Sequence, residues 1–121
     1  MGTPTPKALI VKLIREQRFT GSVAICPYCL INGATDPHHW CFKRSSGVPD
    51  EVLHTPENVV LLCHECHTKY GQTREMTMTC LGLKLRKGYD IFAWVDRLIQ
   101  EGKINHRPDI YGGVHEVQGS S

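Results

Sequence analysis

Two Cys-x2-Cys pairs constrain this chain more than any other feature of its sequence. The first is CPYC at residues 26–29, and the second is CHEC at residues 63–66. Four thiolates in two such pairs can close a tetrahedron around Zn²⁺, with Zn–S bonds of about 2.3 Å. A saturated site of this kind leaves no position open for water, so its role is to stabilise a fold. We therefore predict a structural zinc site with the ligands Cys26, Cys29, Cys63 and Cys66.

The size of the chain makes such a metal site useful. At 121 residues it fits one small globular domain with a modest core. Residues 1–19 mix lysine and arginine with apolar residues instead of forming a signal peptide, and no run of about 18 apolar residues exists. We expect a cytoplasmic protein without a membrane partner, in which a reducing environment leaves thiols free for metal. The formal charge of +2 neither requires nor excludes a polyanionic partner.

Other interpretations of the cysteines stay open at this point. They could form two disulfides, or they could be unrelated residues of the core. In the stretch CHECH at 63–67, His64 or His67 could also replace one cysteine as the fourth ligand. Cys41 and Cys80 have no Cys-x2-Cys partner, and we interpret both as small core residues.

Hydrophobic periodicity predicts an α+β chain. Strands are expected over 21–25, 38–42 and 59–62. Helices are expected over 6–18, from about residue 65, and twice within 73–102, where 73–88 also alternates like a strand. Turn residues predict a loop over 45–56, and the tail at 106–121 has little to bury. We interpret 1–121 as a single domain whose motif core spans 26–71.

A second group of polar residues accompanies the cysteine pairs: His38, His39, Asn58 and His67. If strand 59–62 pairs with the strand of the two histidines, and the following helix packs across this hairpin, the imidazoles converge on one face. Imidazole binds divalent metals and titrates near pH 6.5, so such a cluster suits metal binding and proton transfer. Taken singly, each residue also has a structural explanation, as a surface polar residue, a turn residue or a zinc ligand.

The order of these residues resembles that of HNH endonucleases with two Cys-x2-Cys knuckles. The resemblance covers about residues 26–71: the first cysteine pair, then His38-His39, then Asn58, then Leu62-Cys63-x2-Cys66-His67. It implies a small zinc-stapled ββα-metal core, treble-clef-like, with flanking N- and C-terminal helices. It also implies a DNA endonuclease that hydrolyses phosphodiester bonds in a bacterial or phage-infected cell.

The resemblance assigns a role to each residue of the second group. His39 matches the general base, which activates water for attack on the phosphate. His38 and His67 match the ligands of one catalytic divalent ion, which would be Mg²⁺, Mn²⁺, Ni²⁺ or Zn²⁺. Asn58 matches the residue that steadies the loop or the ring of the base. Gly71 stands where some members of the family carry a further histidine.

Cationic side chains near the motif are candidates for DNA contact: Lys43, Arg44, Lys69 and Arg74. A second basic cluster at 84–87 suits a solvated helix face as well as DNA. His54 and His64 are expected to be exposed. Two other classes of function remain: a zinc-binding module that holds nucleic acid or a protein without cleaving it, and a purely structural zinc protein.

Overall fold

The computed structural model describes residues 4–18, 21 and 23–110, and these residues form an α+β fold. In chain order the helices and strands are α1 (Lys7–Gln17), β1 (Asp36–His39), α2 (Asp50–Leu53), β2 (Val59–Leu62), α3 (His64–Tyr70), α4 (Arg74–Arg86) and α5 (Ile91–Gln100). The four expected helices and the strand over 59–62 are therefore confirmed. Among the described residues, no helix is both long and apolar enough to cross a membrane.

The two strands form an antiparallel hairpin that carries the adjacent histidines. His38 lies opposite Val60, and His39 lies opposite Val59. All four residues of β2 are buried, as the uninterrupted apolar sequence VVLL predicts. Helix α3 follows β2 after a single residue, Cys63, and contacts β1. The histidines of β1 and the helix that carries His67 are thereby brought to the same region.

Strand β1 begins and ends earlier than the predicted strand over 38–42. Its last residue is His39, after which the backbone N–H of Trp40 still donates to the Asn58 carbonyl at 3.1 Å. The next two N–H groups, of Cys41 and Phe42, donate instead to the Asn58 side-chain oxygen at 3.2 and 2.7 Å. The prediction was wrong here because a side chain replaces the neighbouring strand as hydrogen-bond acceptor.

The predicted strand over 21–25 is also wrong, and its residue 22 lies outside the described residues. Ala24 and Ile25 form only isolated bridges, with Arg18 and Gly33 respectively. The cysteine turn begins immediately afterwards, so the segment has no room to extend a ladder. Likewise, the expected loop over 45–56 contains a 3-10 turn at Arg44–Ser46 and the one-turn helix α2.

A buried ion pair joins α1 to α4. It includes Lys84, which belongs to the basic cluster expected at 84–87. The side chain of Lys84 is 1% exposed, and its Nζ lies 3.5 Å from Glu16 Oε1. Tyr89 donates its hydroxyl to the same carboxylate, and the Lys84 ammonium lies 5.0 Å from the centre of the Tyr89 ring. Burial lowers the pKa of Lys84, and Glu16 opposes that effect. Lys84 therefore contributes to helix packing and does not belong to a DNA-binding surface.

The first residues of the predicted loose tail are packed against the fold. Ile110 is 2% exposed, and Arg107 pairs with Asp96 of α5. The prediction of a loose segment is wrong for this part, because Ile110 supplies apolar surface that the composition of the tail did not suggest. Residues 111–121, the remainder of that prediction, lie outside the described residues.

Gln17 at the end of α1 forms hydrogen bonds with the free edge of β2. Its Nε2 donates to the Leu61 carbonyl at 2.8 Å, and its Oε1 accepts from the Leu61 N–H at 2.8 Å. One buried amide thus replaces a third strand.

Gln17→Ala should lower the free energy of unfolding by about 2–4 kcal/mol, because it leaves two buried backbone groups without partners. Chemical denaturation followed by circular dichroism measures the change. Gln100→Ala, an exposed amide on α5, is the matched control and should change stability by less than about 0.5 kcal/mol. Equal denaturation midpoints for Gln17→Ala and wild type would contradict this role of Gln17.

Candidate functional site

Four cysteine thiols come together between the 26–29 turn and the start of α3. The sulfur atoms of Cys26, Cys29, Cys63 and Cys66 all lie within 4.8 Å of one another. The distance between the Cys29 and Cys63 sulfurs is 3.9 Å. A tetrahedron with Zn–S bonds of about 2.3 Å places its sulfurs about 3.8 Å apart, so these thiols could hold a metal ion such as zinc.

The backbone around the first cysteine pair turns N–H groups toward sulfur. The Leu30 N–H donates to the Cys26 carbonyl at 2.9 Å, and Leu30 itself adopts a positive φ of 61°. Backbone N–H groups of Asn32 and Ile31 lower the pKa of Cys29 to about 7. This turn therefore favours the thiolate form that a metal requires.

The second pair is positioned by the start of a helix. Cys63 is the N-cap of α3, and its sulfur accepts a hydrogen bond from the Cys66 N–H at 3.4 Å. The amide of Asn32 also lies 3.7 Å from the Cys63 sulfur and links the two cysteine turns. Burial raises the pKa of Cys66 and of Cys26, in the opposite sense to Cys29.

The geometry resolves the alternatives for the cysteines. All six cysteines are free, so neither pair forms a disulfide. His64 points outward, with 81% of its side chain exposed, and its Nδ1 lies 2.8 Å from Asp36 Oδ2. Successive residues of a helix point about 100° apart, so Cys66 faces the cluster while His67 faces β1. The one metal-binding cluster found among the described residues consists of the four cysteines alone.

Two imidazoles meet beside this cluster, from β1 and α3. The ring centres of His38 and His67 lie 5.1 Å apart, at an angle of 74°. His38 Nε2 and His67 Nδ1 are both buried, and neither has a hydrogen-bond partner among the described residues. Leaving such a nitrogen unpaired costs about 1–3 kcal/mol, so the pair fits a ligand that accepts two imidazole lone pairs. A divalent metal ion is such a ligand.

These histidines line an open cleft of about 720 Å³ on the surface. His39 lines the same cleft, as do the cationic side chains of Lys43 and Arg44. The structure therefore brings together His38, His39 and His67, as the sequence predicted, with two of the four candidate cations. A cleft that combines imidazoles with cations suits an anionic ligand.

His54 is a neighbour of His39 that the sequence analysis missed. Its Nδ1 lies 3.4 Å from His39 Nε2, and the two rings cross at 65° with centres 5.3 Å apart. The expectation of an exposed His54 is wrong, whereas that for His64 is confirmed. The signal available in the sequence was the Pro49-Asp50-Glu51 start of α2, since that helix turns the chain back toward β1.

The neutral form is strongly favoured for both histidines of β1. Burial, with smaller contributions from His67 and Lys43, lowers the pKa of His38 to about 3. Burial likewise lowers the pKa of His39 to about 4, with contributions from Arg44 and His54. A neutral imidazole keeps a lone pair available for a metal or a proton.

Asn58 is buried and uses its amide to shape the loop after β1. Its oxygen accepts the two N–H groups described above, and its nitrogen donates to the carbonyls of Phe42 and Leu53, each at 2.9 Å. These bonds join the residues that follow His39 to the end of α2, just before His54. Of the two roles expected for this residue, the contacts correspond to holding the loop and not the ring.

The remaining candidate cations lie away from the histidines. Lys69 pairs with Glu65 on the outer face of α3 at 3.3 Å, and both side chains are exposed. Arg74 lies 3.4 Å from Asp109 and lines a different cavity. Neither lines the histidine cleft.

Gly71 ends α3 next to both cleft histidines. A Cβ at this position would lie 2.4 Å from the His67 carbonyl oxygen and 3.5 Å from His38 Cε1. Any side chain here would displace the backbone of α3. The chain therefore has physical reason to lack a third histidine one turn after His67.

No protein-family model matches this chain, and searches of curated proteins and of solved structures return no significant match.

Cys63→Ser should abolish zinc binding and unfold the chain, because metal-binding energy in so small a fold is folding energy. Elemental analysis of the purified protein should give one zinc per wild-type chain and none for the variant. Cys41→Ser, outside the four-cysteine cluster, is the matched control and should retain zinc. A folded, metal-free Cys63→Ser protein would refute the structural role of the cluster.

Proposed function

We propose that this protein is a metal-dependent DNA endonuclease of the HNH type. The observation that carries the proposal is the pair of buried imidazole nitrogens, His38 Nε2 and His67 Nδ1, which have no hydrogen-bond partner among the described residues. They lie in a cleft with a third imidazole and two cations, next to four clustered thiols. Each of these parts corresponds to one expected from the resemblance to HNH endonucleases with two Cys-x2-Cys knuckles.

The arrangement of the elements supports the same proposal. The hairpin of β1 and β2 is followed by α3, and the thiols join the start of α3 to the 26–29 turn. We interpret this as a treble-clef-like ββα-metal core with zinc at the four cysteines. In this interpretation zinc holds α3 against the hairpin, and this fixes the distance between His38 and His67.

His38 and His67 would hold one divalent ion in the cleft. Bound there, the ion would act as a Lewis acid that neutralises charge on the phosphate, an effect worth several kcal/mol. Two imidazoles favour Mn²⁺, Ni²⁺ or Zn²⁺ over Mg²⁺ relative to a site built from carboxylates. The remaining ligands would be oxygen atoms of phosphate and water.

His39 would accept the proton of the attacking water. As the water oxygen bonds to phosphorus, the bond from phosphorus to the 3′ oxygen breaks, and that oxygen leaves with the electron pair and takes a proton from water. No covalent enzyme intermediate forms. His54 limits the rotation of the His39 ring, and Asn58 positions the loop that carries Lys43. Lys43 and Arg44 would bind neighbouring phosphates, an attraction that weakens as salt rises. His54 and Asn58 are thus positioning residues, since their contacts are with protein groups.

His39→Ala should reduce plasmid cleavage by about 10²-fold or more, because loss of a general base commonly removes that much. Zinc-loaded protein is incubated with supercoiled plasmid in three separate reactions, which contain Mg²⁺, Mn²⁺ or Ni²⁺. His64→Ala is the matched control, since its ring is exposed and faces away from the cleft, and it should cut like wild type. A wild-type protein that is folded, binds zinc and cuts with none of these metals would exclude the nuclease.

His67→Ala should yield a folded, zinc-containing and inactive protein. Its unfolding free energy should stay within about 1 kcal/mol of wild type, because the substitution also removes a buried nitrogen without a partner. Zinc content and thermal unfolding are measured beside cleavage. Loss of zinc from this variant would show that His67 belongs to the cysteine cluster in solution, contrary to the proposal.

A non-catalytic zinc module is the second candidate function. The observation in its favour is that the four-cysteine cluster is complete without any residue of the histidine cleft. Such a module would bind nucleic acid or a protein partner through the cations and would not cut. The His39→Ala comparison separates the two: unchanged binding with lost cleavage supports the nuclease, and no change in either supports the module.

A further inference from the structure

A second cavity adjoins the histidine cleft. It has a volume of about 500 Å³ and lies between the loop after β1, the start of α4 and the segment at 103–110. Volumes of this order are typical of pockets for single small molecules or nucleotides. The proposed hydrolysis does not use this cavity.

The two cavities share part of their lining. Lys43, Ser45 and Gln72 line both of them. A polymer whose phosphate lies against the histidines therefore meets the second cavity directly across these three side chains. A cation, a hydroxyl and an amide at this boundary can all bind phosphate or sugar oxygens.

The chemistry of the second cavity matches that of a nucleotide. Its walls include apolar side chains, among them Phe42, Val48, Ile104 and Ile110. The amides of Gln72 and Asn105 offer donors and acceptors for the edge of a base. Such a combination of apolar walls with a few polar groups is what a flat, polar-edged base requires.

The charge of the cavity points to the same ligand. Three cations line it, Lys43, Arg74 and Lys103, against the single carboxylate of Asp109. Lys103 is already paired with Glu51 and Glu101. The pair of Arg74 and Asp109 is exposed on both sides and so is weak, and a phosphate can displace the carboxylate. Lys43 and Arg74 are therefore the two lining cations that could bind phosphate.

We infer that the second cavity binds one unpaired nucleotide of the DNA strand, adjacent to the phosphate that is held in the histidine cleft. This inference rests on the proposed function for the position of that phosphate. A base in a perfect duplex must leave its stack to enter, which costs a few kcal/mol. The protein should therefore prefer single-stranded, nicked or mismatched DNA over a perfect duplex.

Binding without cleavage tests the pocket. Zinc-loaded protein, with no other divalent metal added, is titrated into a fluorescein-labelled 15-nucleotide single strand and into a strand of the same length in which every position is abasic. Wild type should bind the intact strand about 10-fold more tightly, as expected for one buried base. Equal affinities for the two strands, or no binding to either, would overturn the inference without any protein variant.

Asn105→Trp places a large side chain in the cavity and tests whether the discrimination between the two strands arises there. This variant should bind the intact strand about 10-fold more weakly than wild type and should no longer distinguish it from the abasic strand. Gln100→Trp places the same side chain on an exposed position of α5 outside the cavity, and it should bind like wild type. Retained discrimination by a folded Asn105→Trp protein would overturn the assignment to this cavity.

Different results would reject the nucleotide pocket and the proposed nuclease activity. Plasmid cleavage by wild type without discrimination between the two strands retains the nuclease and removes the pocket. Discrimination that Asn105→Trp abolishes, with no cleavage under any metal, retains the pocket and removes the nuclease.

Discussion

The meeting of four thiols from two distant segments is the constraint on which the other features depend. Cys63 lies between the last residue of β2 and the first residue of α3, so a cluster that includes it fixes the strand and the helix relative to each other. His38 is paired with β2 through the hairpin, and His67 is one residue beyond the last thiol. An ion bound by the four sulfur atoms would therefore help to set the separation of these two imidazoles.

The treatment of buried polar groups separates structural residues from functional ones. The amides of Gln17 and Asn58 are fully buried and use both of their polar atoms in short hydrogen bonds. The same fold leaves His38 Nε2 and His67 Nδ1 without a partner among the described residues, in adjacent positions. Two buried nitrogens without hydrogen bonds would each lower the stability of the fold if they had no function. A ligand that binds both nitrogens accounts for them together.

Local sequence patterns predicted those elements whose stabilising contacts are local. The apolar run of β2 is confirmed, and the last expected helix, α5, begins at a local cap in which Asp90 accepts from the Ala93 N–H at 3.1 Å. The end of β1, the contact of His54 and the burial of Lys84 each depend on a partner elsewhere in the sequence, such as Asn58, His39 or Glu16. Periodicity carries no information about such partners. The order of the histidines predicted that they converge, because the pairing of the two strands and the position of the following helix were both correct.

The cysteine cluster and the histidine cleft differ in how many ligand positions they leave open. The four thiols could fill a tetrahedron around one ion and leave nothing for substrate, whereas in the proposed site the cleft would offer two imidazoles to its ion. Gly71 keeps this number at two, because a side chain there would meet the His67 carbonyl. The open positions then belong to oxygen atoms of the substrate, so a metal would be held firmly only when phosphate is present. Substrate and metal would thus bind the cleft cooperatively, while the four thiols could hold a different ion that stabilises the fold.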